Sequence, residues 1–200
     1  MTTILRIDSS ARHDGSASRE LAGRLTDRLH GDVTVVERDL ASGVPLLTES
    51  TLAAMWTSPA DRTDAQRAEL EVADAYIGEL MDADAVVIGL PIYNFGPPAA
   101  MKAWADLVAR AGTTFRYTER GPEGLVADKP VFLVVASGGV PVGSHMDQAS
   151  TWLRTFLAFI GLGDVTVIAA EQLNVDPANA IESARRQVDD ISLTHLAAAA

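Results

Sequence analysis

Residues 85–98 read AVVIGLPIYNFGPP and join an apolar, β-branched run to a proline-bounded loop with two aromatic side chains. The run Ala85 to Gly89 predicts a buried strand, and the helix-compatible sequence AAMKAW follows at residues 99–104. A loop between a parallel strand and a helix lies at the carboxyl edge of an open α/β sheet, where ligands bind. Tyr93, Asn94 and Phe95 would present two flat faces and one amide there, which suit a planar heterocycle.

The same strand and helix pattern extends over the whole chain. Five short apolar runs alternate with five amphipathic stretches, which indicates βαβ units. We therefore expect an α/β fold in which one five-stranded parallel sheet, of order 2-1-3-4-5, has helices on both faces. The predicted strands are 4–7, 33–36, 85–89, 131–136 and 165–170. The predicted helical stripes are Leu21, Ala22, Leu25 and Leu29; Ala73, Tyr76, Ile77 and Leu80; Met101, Trp104, Ala105 and Val108; Trp152, Phe156, Phe159 and Ile160; and Ile181, Ala184, Val188 and Ile191.

Two segments exceed what such a fold requires. They span residues 41–62 and 113–129, and loops of this length inside a compact domain are usually functional or form an interface. Neither a linker nor an internal repeat divides the sequence. We expect residues 1–200 to form a single domain.

Composition limits the classes of partner. The chain has 200 residues, 48% hydrophobic content and a net charge of -11, which disfavours nucleic acid and anionic membranes as partners. It contains no cysteine, and its four histidines (His13, His30, His145 and His195) form no ligand pair, so we expect no metal site. The N-terminal apolar run is too short for a signal peptide, and we expect a cytoplasmic protein.

The loop after the first predicted strand is rich in serine. Residues 8–18 read DSSARHDGSAS and lead into a helix, so hydroxyls and free backbone N–H groups could together hold a terminal phosphate. Ordinary N-capping by Ser16 or Ser18 is the alternative for any one serine. Four serines in one loop favour the phosphate interpretation, and Arg12 and Arg19 could add positive charge.

The loop after the fourth predicted strand contains paired glycines. Residues 136–143 read ASGGVPVG, and Gly138 and Gly139 would let the backbone approach a ring closely. Because the loops after strands one, three and four share one edge of the sheet, we expect them to form one crevice. A phosphate at one loop and a ring at two others match a mononucleotide, and we infer a flavin. The chain lacks the G-x-G-x-x-G, P-loop and G-x-S-x-G patterns.

These residues resemble those of the FMN-dependent NADH-azoreductase family, flavodoxin-like proteins also described as NADH:quinone oxidoreductases. The strongest block is DLVARAGTTFRYTE at residues 106–119 followed by GPEGL at 121–125. Matches at Ser9-Ser10, at Ser16-Ala17-Ser18, at Tyr93-Asn94-Phe95 and at residues 156–161 extend the resemblance over most of the chain.

The resemblance implies a flavodoxin-like fold and a role for each loop. Ser10 and the run Ser16, Ala17 and Ser18 would hold the FMN phosphate, and Ile92, Tyr93, Asn94 and Phe95 would flank the isoalloxazine. Ala136, Ser137, Gly138 and Gly139 would close its other edge, although related sequences often carry a Ser-Arg-Gly-Gly loop there, so this chain lacks that arginine. Tyr117 and Phe159 would line the substrate side, in a pocket shared by two subunits.

The chemistry implied is flavin-centred. NADH would reduce FMN, which would then reduce an azo or quinone substrate in a ping-pong, two-electron mechanism with no obligatory catalytic side chain. Asn94, or the amide beside it, is the candidate for a hydrogen bond near the reactive flavin nitrogen. The aromatic excess on residues 151–160 adds to the expectation of a homodimer.

Three other functions fit parts of this pattern. One is a general NAD(P)H:quinone reductase with incidental azo activity. Another is a flavodoxin-type electron carrier, against which the long segment 113–129 argues, because a carrier needs an exposed flavin edge more than aromatic walls. A third is a flavin-free binding or regulatory domain on the same fold.

Overall fold

A computed structural model of the chain describes residues 2–28 and 33–191. Leu29 of the first predicted helical stripe, His30 and His195 lie outside the described residues. The described strands are β1 (Thr2–Asp8), β2 (Val33–Asp39), β3 (Ala85–Pro91), β4 (Phe115–Thr118), β5 (Gly121–Gly124), β6 (Val131–Ala136) and β7 (Val165–Ala170). The helices are α1 (Ala17–Asp27), α2 (Glu49–Trp56), α3 (Asp64–Asp82), α4 (Ala99–Val108), α5 (Gln148–Ile160) and α6 (Pro177–Asp190).

The five predicted strands pair in parallel in one sheet of order β2-β1-β3-β6-β7. The predicted order 2-1-3-4-5 needs correction, because it numbered only the five strands of this sheet and the chain has two further strands. The antiparallel hairpin β4–β5 lies between the third and fourth strands of that sheet in the sequence and forms a separate two-stranded sheet. The sequence of β5 is GPEG, which has neither alternation nor β-branched residues, so no strand signal marks it.

Each face of the parallel sheet is covered by helices. Leu21, Leu25 and Ala22 of α1 pack with α6 against one face, and α3, α4 and α5 cover the other. Strands β3 and β6 are buried along their entire length. A strand that is covered by helices on both faces needs apolar side chains along its whole length. For this reason β3 and β6 are uninterrupted apolar runs, from which the sequence predicted both strands.

Helix α2 falls in the long segment 41–62, for which the sequence predicted no element. Its apolar residues form no continuous stripe, since Thr51 and Ala54 are the residues it buries. A capping box between Thr48 and Thr51 starts the helix, and the carboxylate of Glu69 on α3 accepts a hydrogen bond of 2.6 Å from the Thr51 hydroxyl. Polar contacts with α3 therefore help to hold α2, together with the buried Ala54 and with Met55, which packs against the core.

Within the described residues, every helix is too short or too polar to cross a lipid bilayer.

Candidate functional site

Three loops at the carboxyl edge of the parallel sheet form one cleft of about 520 Å³. They follow β1, β3 and β6, the neighbouring strands whose loops the sequence analysis placed together. Of the residues predicted to bind a cofactor, those that line this cleft are Ser10, Ser16, Ala17, Ser18, Ile92, Tyr93, Ala136 and Gly138. Asn94, Phe95, Ser137 and Gly139 are not among the lining residues.

The N-terminus of α1 opens towards this cleft without a side-chain cap. Ser16 occupies the N-cap position, but its hydroxyl makes no capping hydrogen bond. Ser16 and Ser18 are both buried, and their hydroxyl oxygens lie 3.3 Å apart. Simple N-capping by Ser16 therefore does not account for this loop. The free N–H groups of the first turn and two adjacent hydroxyls form the kind of site that binds a phosphate.

The first loop is fixed to the rest of the sheet edge by hydrogen bonds. The hydroxyl of Ser9 donates to the carbonyl oxygen of Gly89 at 2.7 Å, which joins the start of the loop to β3. The Tyr93 hydroxyl lies 3.4 Å from the Ser10 hydroxyl and accepts a hydrogen bond of 3.2 Å from the N–H of Ala11. Tyr93 thus bridges the first and second loops at the wall of the cleft.

The second loop makes a tight two-residue turn. Tyr93 and Gly96 exchange two backbone hydrogen bonds of 2.9 and 3.0 Å, and Asn94 and Phe95 between them have positive φ angles of 49° and 72°. Two positive φ angles are the pattern of a type I′ turn, in which glycine is usual at the second position. Phe95 occupies that position with a side chain that is 50% exposed.

Gly138 in the third loop is packed closely against a neighbouring loop, while the close approach of both glycines to a ring stays a prediction. A Cβ at Gly138 would lie 2.4 Å from the side-chain nitrogen of Asn174, whereas a Cβ at Gly139 would meet nothing within 4 Å. Gly138 therefore accommodates Asn174. Ser137 is buried, and its hydroxyl accepts a hydrogen bond of 2.8 Å from the N–H of Val140, so it closes the turn.

A fourth loop, between β7 and α6, also borders the cleft and was missed in the sequence. It pairs with the third loop, since the N–H groups of Leu173 and Asn174 each donate 3.0 Å hydrogen bonds to the carbonyl oxygens of Ser137 and Gly138. Leu173, Asn174, Pro177 and Ile181 form this wall. The only sequence signal nearby, Asp176-Pro177, correctly predicted the N-cap and first turn of α6.

The predicted substrate residues Tyr117 and Phe159 lie in an aromatic cluster around Phe115. The Phe115 ring is 5.4 Å from that of Tyr117 and 4.4 Å from that of Phe159. Phe159 is half-buried, while Tyr117 is 75% exposed. On the same helix, Trp152 stacks on Phe156 at 6.0 Å, so part of the aromatic excess on α5 is packed within the chain.

A network of charges supports the first loop. Arg19 donates hydrogen bonds to the carbonyl oxygen of Ser10 and to Asp39, and Asp8 pairs with Arg6. Burial raises the pKa of Asp8, and the positive charges of Arg6 and Arg19 only partly offset this. Partial burial alone would raise the pKa of Asp39, but the hydrogen bonds from Arg19 and from the N–H of Ala41 lower it.

The cleft suits an elongated ligand that has a phosphate at one end and a ring at the other. Buried hydroxyls and a helix N-terminus lie at the α1 end, and Ile92, Tyr93 and Ala136 line the second and third loops. These residues fit a flavin mononucleotide. Among the described residues, no group of three acidic or histidine side chains lies close enough together to hold a metal ion.

Comparisons with known proteins agree with this geometry. The family model for the flavodoxin-like fold matches residues 2–191. FMN-dependent NADH:quinone oxidoreductase 1 of Jannaschia sp. (strain CCS1) is 48% identical over 96% of this chain and 100% of its own length. The protein of that name from Hahella chejuensis (strain KCTC 2396) is 44% identical over 100% of this chain and 98% of its own. Among solved structures, an azoreductase from Bacillus anthracis (strain Sterne) superposes with a TM-score of 0.83 at 27% identity, covering 100% of this chain and 99% of the other.

Proposed function

The chain belongs to the flavodoxin-like family that includes the FMN-dependent NADH:quinone oxidoreductases, and we propose that it is itself an FMN-dependent NADH oxidoreductase. Bound FMN would supply the redox chemistry, since a flavin can accept hydride from a nicotinamide and pass on two electrons, which a quinone or an azo compound takes up together with two protons. The cleft formed by the loops after β1, β3 and β6 is the observation that carries this proposal.

The phosphate would be held by the first loop. Ser10, Ser16 and Ser18 contribute hydroxyls, and the first turn of α1 contributes N–H groups together with the positive end of the helix dipole. Ile92, Tyr93, Asn94 and Phe95 would flank the ring on one side, and Ala136, Ser137, Gly138 and Gly139 on the other. An N–H or amide group at Asn94 would orient the ring by a hydrogen bond near its reactive nitrogen.

The donor and the acceptor would occupy the same slot in turn. Tyr117 and Phe159 would form its apolar wall, exclude water and align flat substrates by stacking. No side chain of the cleft needs to act as an obligatory acid or base, because the cofactor would pass on a hydride equivalent and solvent would supply the remaining proton. This arrangement gives ping-pong kinetics.

We further infer a homodimer of single-domain subunits in the cytoplasm, with a substrate pocket shared between subunits. The 75% exposure of Tyr117 supports a shared pocket, because an aromatic wall open to water on one chain becomes enclosed when a second chain covers it. Light scattering should give twice 21.2 kDa, and Tyr117→Asp should lower that mass. A constant mass of 21.2 kDa with full activity would contradict the shared pocket.

Cofactor binding is tested on the purified protein. It should be yellow, and its apoprotein should take up FMN stoichiometrically. Ser16→Ala with Ser18→Ala should weaken FMN binding by about 1.5–3 kcal/mol for each hydrogen bond lost to the charged phosphate. The matched control is Ser42→Ala with Ser58→Ala, which removes two exposed hydroxyls outside the cleft. Equal FMN affinity in both double variants would refute the phosphate assignment.

The reaction is tested by anaerobic mixing. NADH should bleach the bound flavin, and a quinone or an azo dye added afterwards should restore its colour. Steady-state rates over both substrate concentrations should give parallel double-reciprocal lines. Intersecting lines would contradict the shared slot, and failure of NADH to bleach the flavin would assign the chain to the electron carriers.

A further inference from the structure

Arg19 lies beneath the first loop and joins it to the end of β2. It is the third residue of α1, and its side chain is 12% exposed. One guanidinium nitrogen donates to the carbonyl oxygen of Ser10 at 2.7 Å and to the Asp39 carboxylate at 2.6 Å. Arg19 is not among the residues that line the cleft.

The charges around Arg19 hold it in this position. Asp8 is 3% exposed, and its carboxylate lies 3.7 Å from a second guanidinium nitrogen of Arg19. Arg6 and His13 face the same pair of carboxylates, at 3.0 Å from Asp8 and 3.6 Å from Asp39 respectively. Arg19 is therefore held between two acidic side chains.

The hydrogen bond to Ser10 decides what the loop presents to an anion. A carbonyl oxygen repels phosphate oxygens, and Arg19 engages the carbonyl oxygen of Ser10 outside the cleft. Ser10 itself lines the cleft, and its hydroxyl accepts a hydrogen bond of 3.2 Å from the N–H of Arg12. Without Arg19, the peptide after Ser10 could rotate and turn an acceptor towards the bound anion.

We propose that Arg19 is a positioning residue that sets the preference of the first loop for a phosphorylated flavin, and that Asp39 holds it in place. The effect is indirect, because Arg19 orients the Ser10 peptide and is not a direct contact of the phosphate. This inference rests on the proposed function, since it concerns the phosphate of the same cofactor.

The test compares FMN with riboflavin, which lacks the phosphate. Apoprotein of the wild type, Arg19→Met and Arg19→Lys is titrated with each ligand, and binding is followed by quenching of flavin fluorescence. Arg19→Met should weaken FMN binding about tenfold, the size of one charge-assisted hydrogen bond, and leave riboflavin affinity unchanged. Arg19→Lys should recover part of the loss, because an ammonium reaches one of the two acceptors.

Arg24→Met is the matched control, because it also removes an arginine of α1 that is paired with a carboxylate, Asp189. It should bind both ligands as the wild type does. Asp39→Asn keeps Arg19 but loosens it, and should lower FMN affinity by a smaller factor in the same selective way. If Arg19→Met does not fold, the comparison of FMN with riboflavin is made on Asp39→Asn instead.

Two outcomes would overturn the inference. One is an equal loss of FMN and riboflavin affinity in Arg19→Met and Asp39→Asn, which would mean a general structural role. The other is unchanged FMN affinity in both variants. A wild-type apoprotein that bound neither ligand would instead refute the proposed function, so the two failures are distinct.

Discussion

Phe95 has a φ of 72°, in the left-handed region that costs a side-chain-bearing residue roughly 1–2 kcal/mol. Its ring is half exposed, so burial recovers little of this cost. Strain of this kind persists where the surrounding structure enforces it, and it is concentrated at functional sites. The position of Phe95 in a loop beside the cleft fits that pattern.

Phe95→Gly should therefore be more stable than Phe95→Ala, although both variants should lose function. We expect the free energy of unfolding to rise by roughly 0.5–1 kcal/mol relative to Phe95→Ala, which keeps the strained Cβ. Chemical denaturation of the apoproteins measures this difference. Both variants should turn over quinones more slowly than the wild type, because both lack the ring. Equal stability of the two variants would show that the turn is unstrained.

The contact between Gly138 and Asn174 gives a second residue-level prediction. Gly138→Ala should displace the Asn174 side chain from the cleft wall and lower FMN affinity by about as much as Asn174→Ala, and the double variant should be no worse than either single one. Gly78→Ala is the control, because its Cβ meets nothing within 4 Å and it lies on α3 outside the cleft, so this variant should bind FMN normally. Titrations of the four apoproteins provide the measurement, and additive losses would show that the two positions act separately.

Some residues of the site could be predicted from the sequence and others could not. Ser10, Ser16, Ser18 and Tyr93 belong to loops with local signals, serines before a helix and aromatics after a strand, and the structure places them in one cleft. Asn174 has no such signal, because its importance depends on Gly138, 36 positions earlier in the chain. Contacts between residues distant in sequence leave no periodic or compositional pattern.

Among the elements, the hairpin β4–β5 depends on one very close approach to α5. A Cβ at Gly124 would lie 2.2 Å from the backbone nitrogen of Gly161, where α5 ends. Backbone atoms cannot swing aside as a side chain can, so the hairpin must move if position 124 carries a side chain. The hairpin also carries Tyr117, and its position therefore affects the aromatic cluster.

Gly124→Ala should destabilise the protein by roughly 1–3 kcal/mol and lower the turnover of bulky azo dyes while leaving FMN affinity intact. Gly163→Ala is the control, since the nearest atom to its Cβ is a side-chain oxygen of Asp128 at 3.9 Å. Thermal unfolding, FMN titration and dye kinetics separate these effects. Loss of FMN binding in Gly124→Ala would mean that the hairpin also supports the cofactor cleft.

Element prediction succeeded where burial produces a clear pattern. Strands such as β3 and β6 are entirely apolar, and the predicted stripe on α4 is buried. Helix α5 forms where it was predicted, but of its predicted stripe only Ile160 is buried, and Trp152, Phe156 and Phe159 lie beside the buried face at Ala149, Ser150, Leu153 and Leu157. Helix α2 and the hairpin β4–β5 were missed because polar caps and backbone packing stabilise them, and neither mechanism creates hydrophobic periodicity. The predicted strand order needed correction because this hairpin, which has no hydrophobic periodicity, adds two strands between the third and fourth strands of the sheet.

For the whole molecule, the net charge of -11 predicts how salt affects the two substrates. NADH is an anion at neutral pH, so the field of the protein slows its approach, and salt screens this repulsion over a Debye length of about 10 Å at 0.1 M. We expect kcat/KM for NADH to rise roughly two- to fivefold between about 20 and 200 mM NaCl. An uncharged quinone should show no such dependence. A fall in kcat/KM for NADH with salt would show that a local positive potential, to which Arg12 in the cleft contributes, outweighs the net charge.

The hydrogen bond between Ser9 and Gly89 has a consequence for biosynthesis. The carbonyl group that anchors the serine-rich loop is made 80 residues after Ser9, and β6 follows only at residues 131–136. Pairing over such separations is slow, because the intervening chain must first close a long loop. A nascent chain that ends before β6 therefore has no complete cleft, and we expect it to acquire the cofactor only after β6 has been translated.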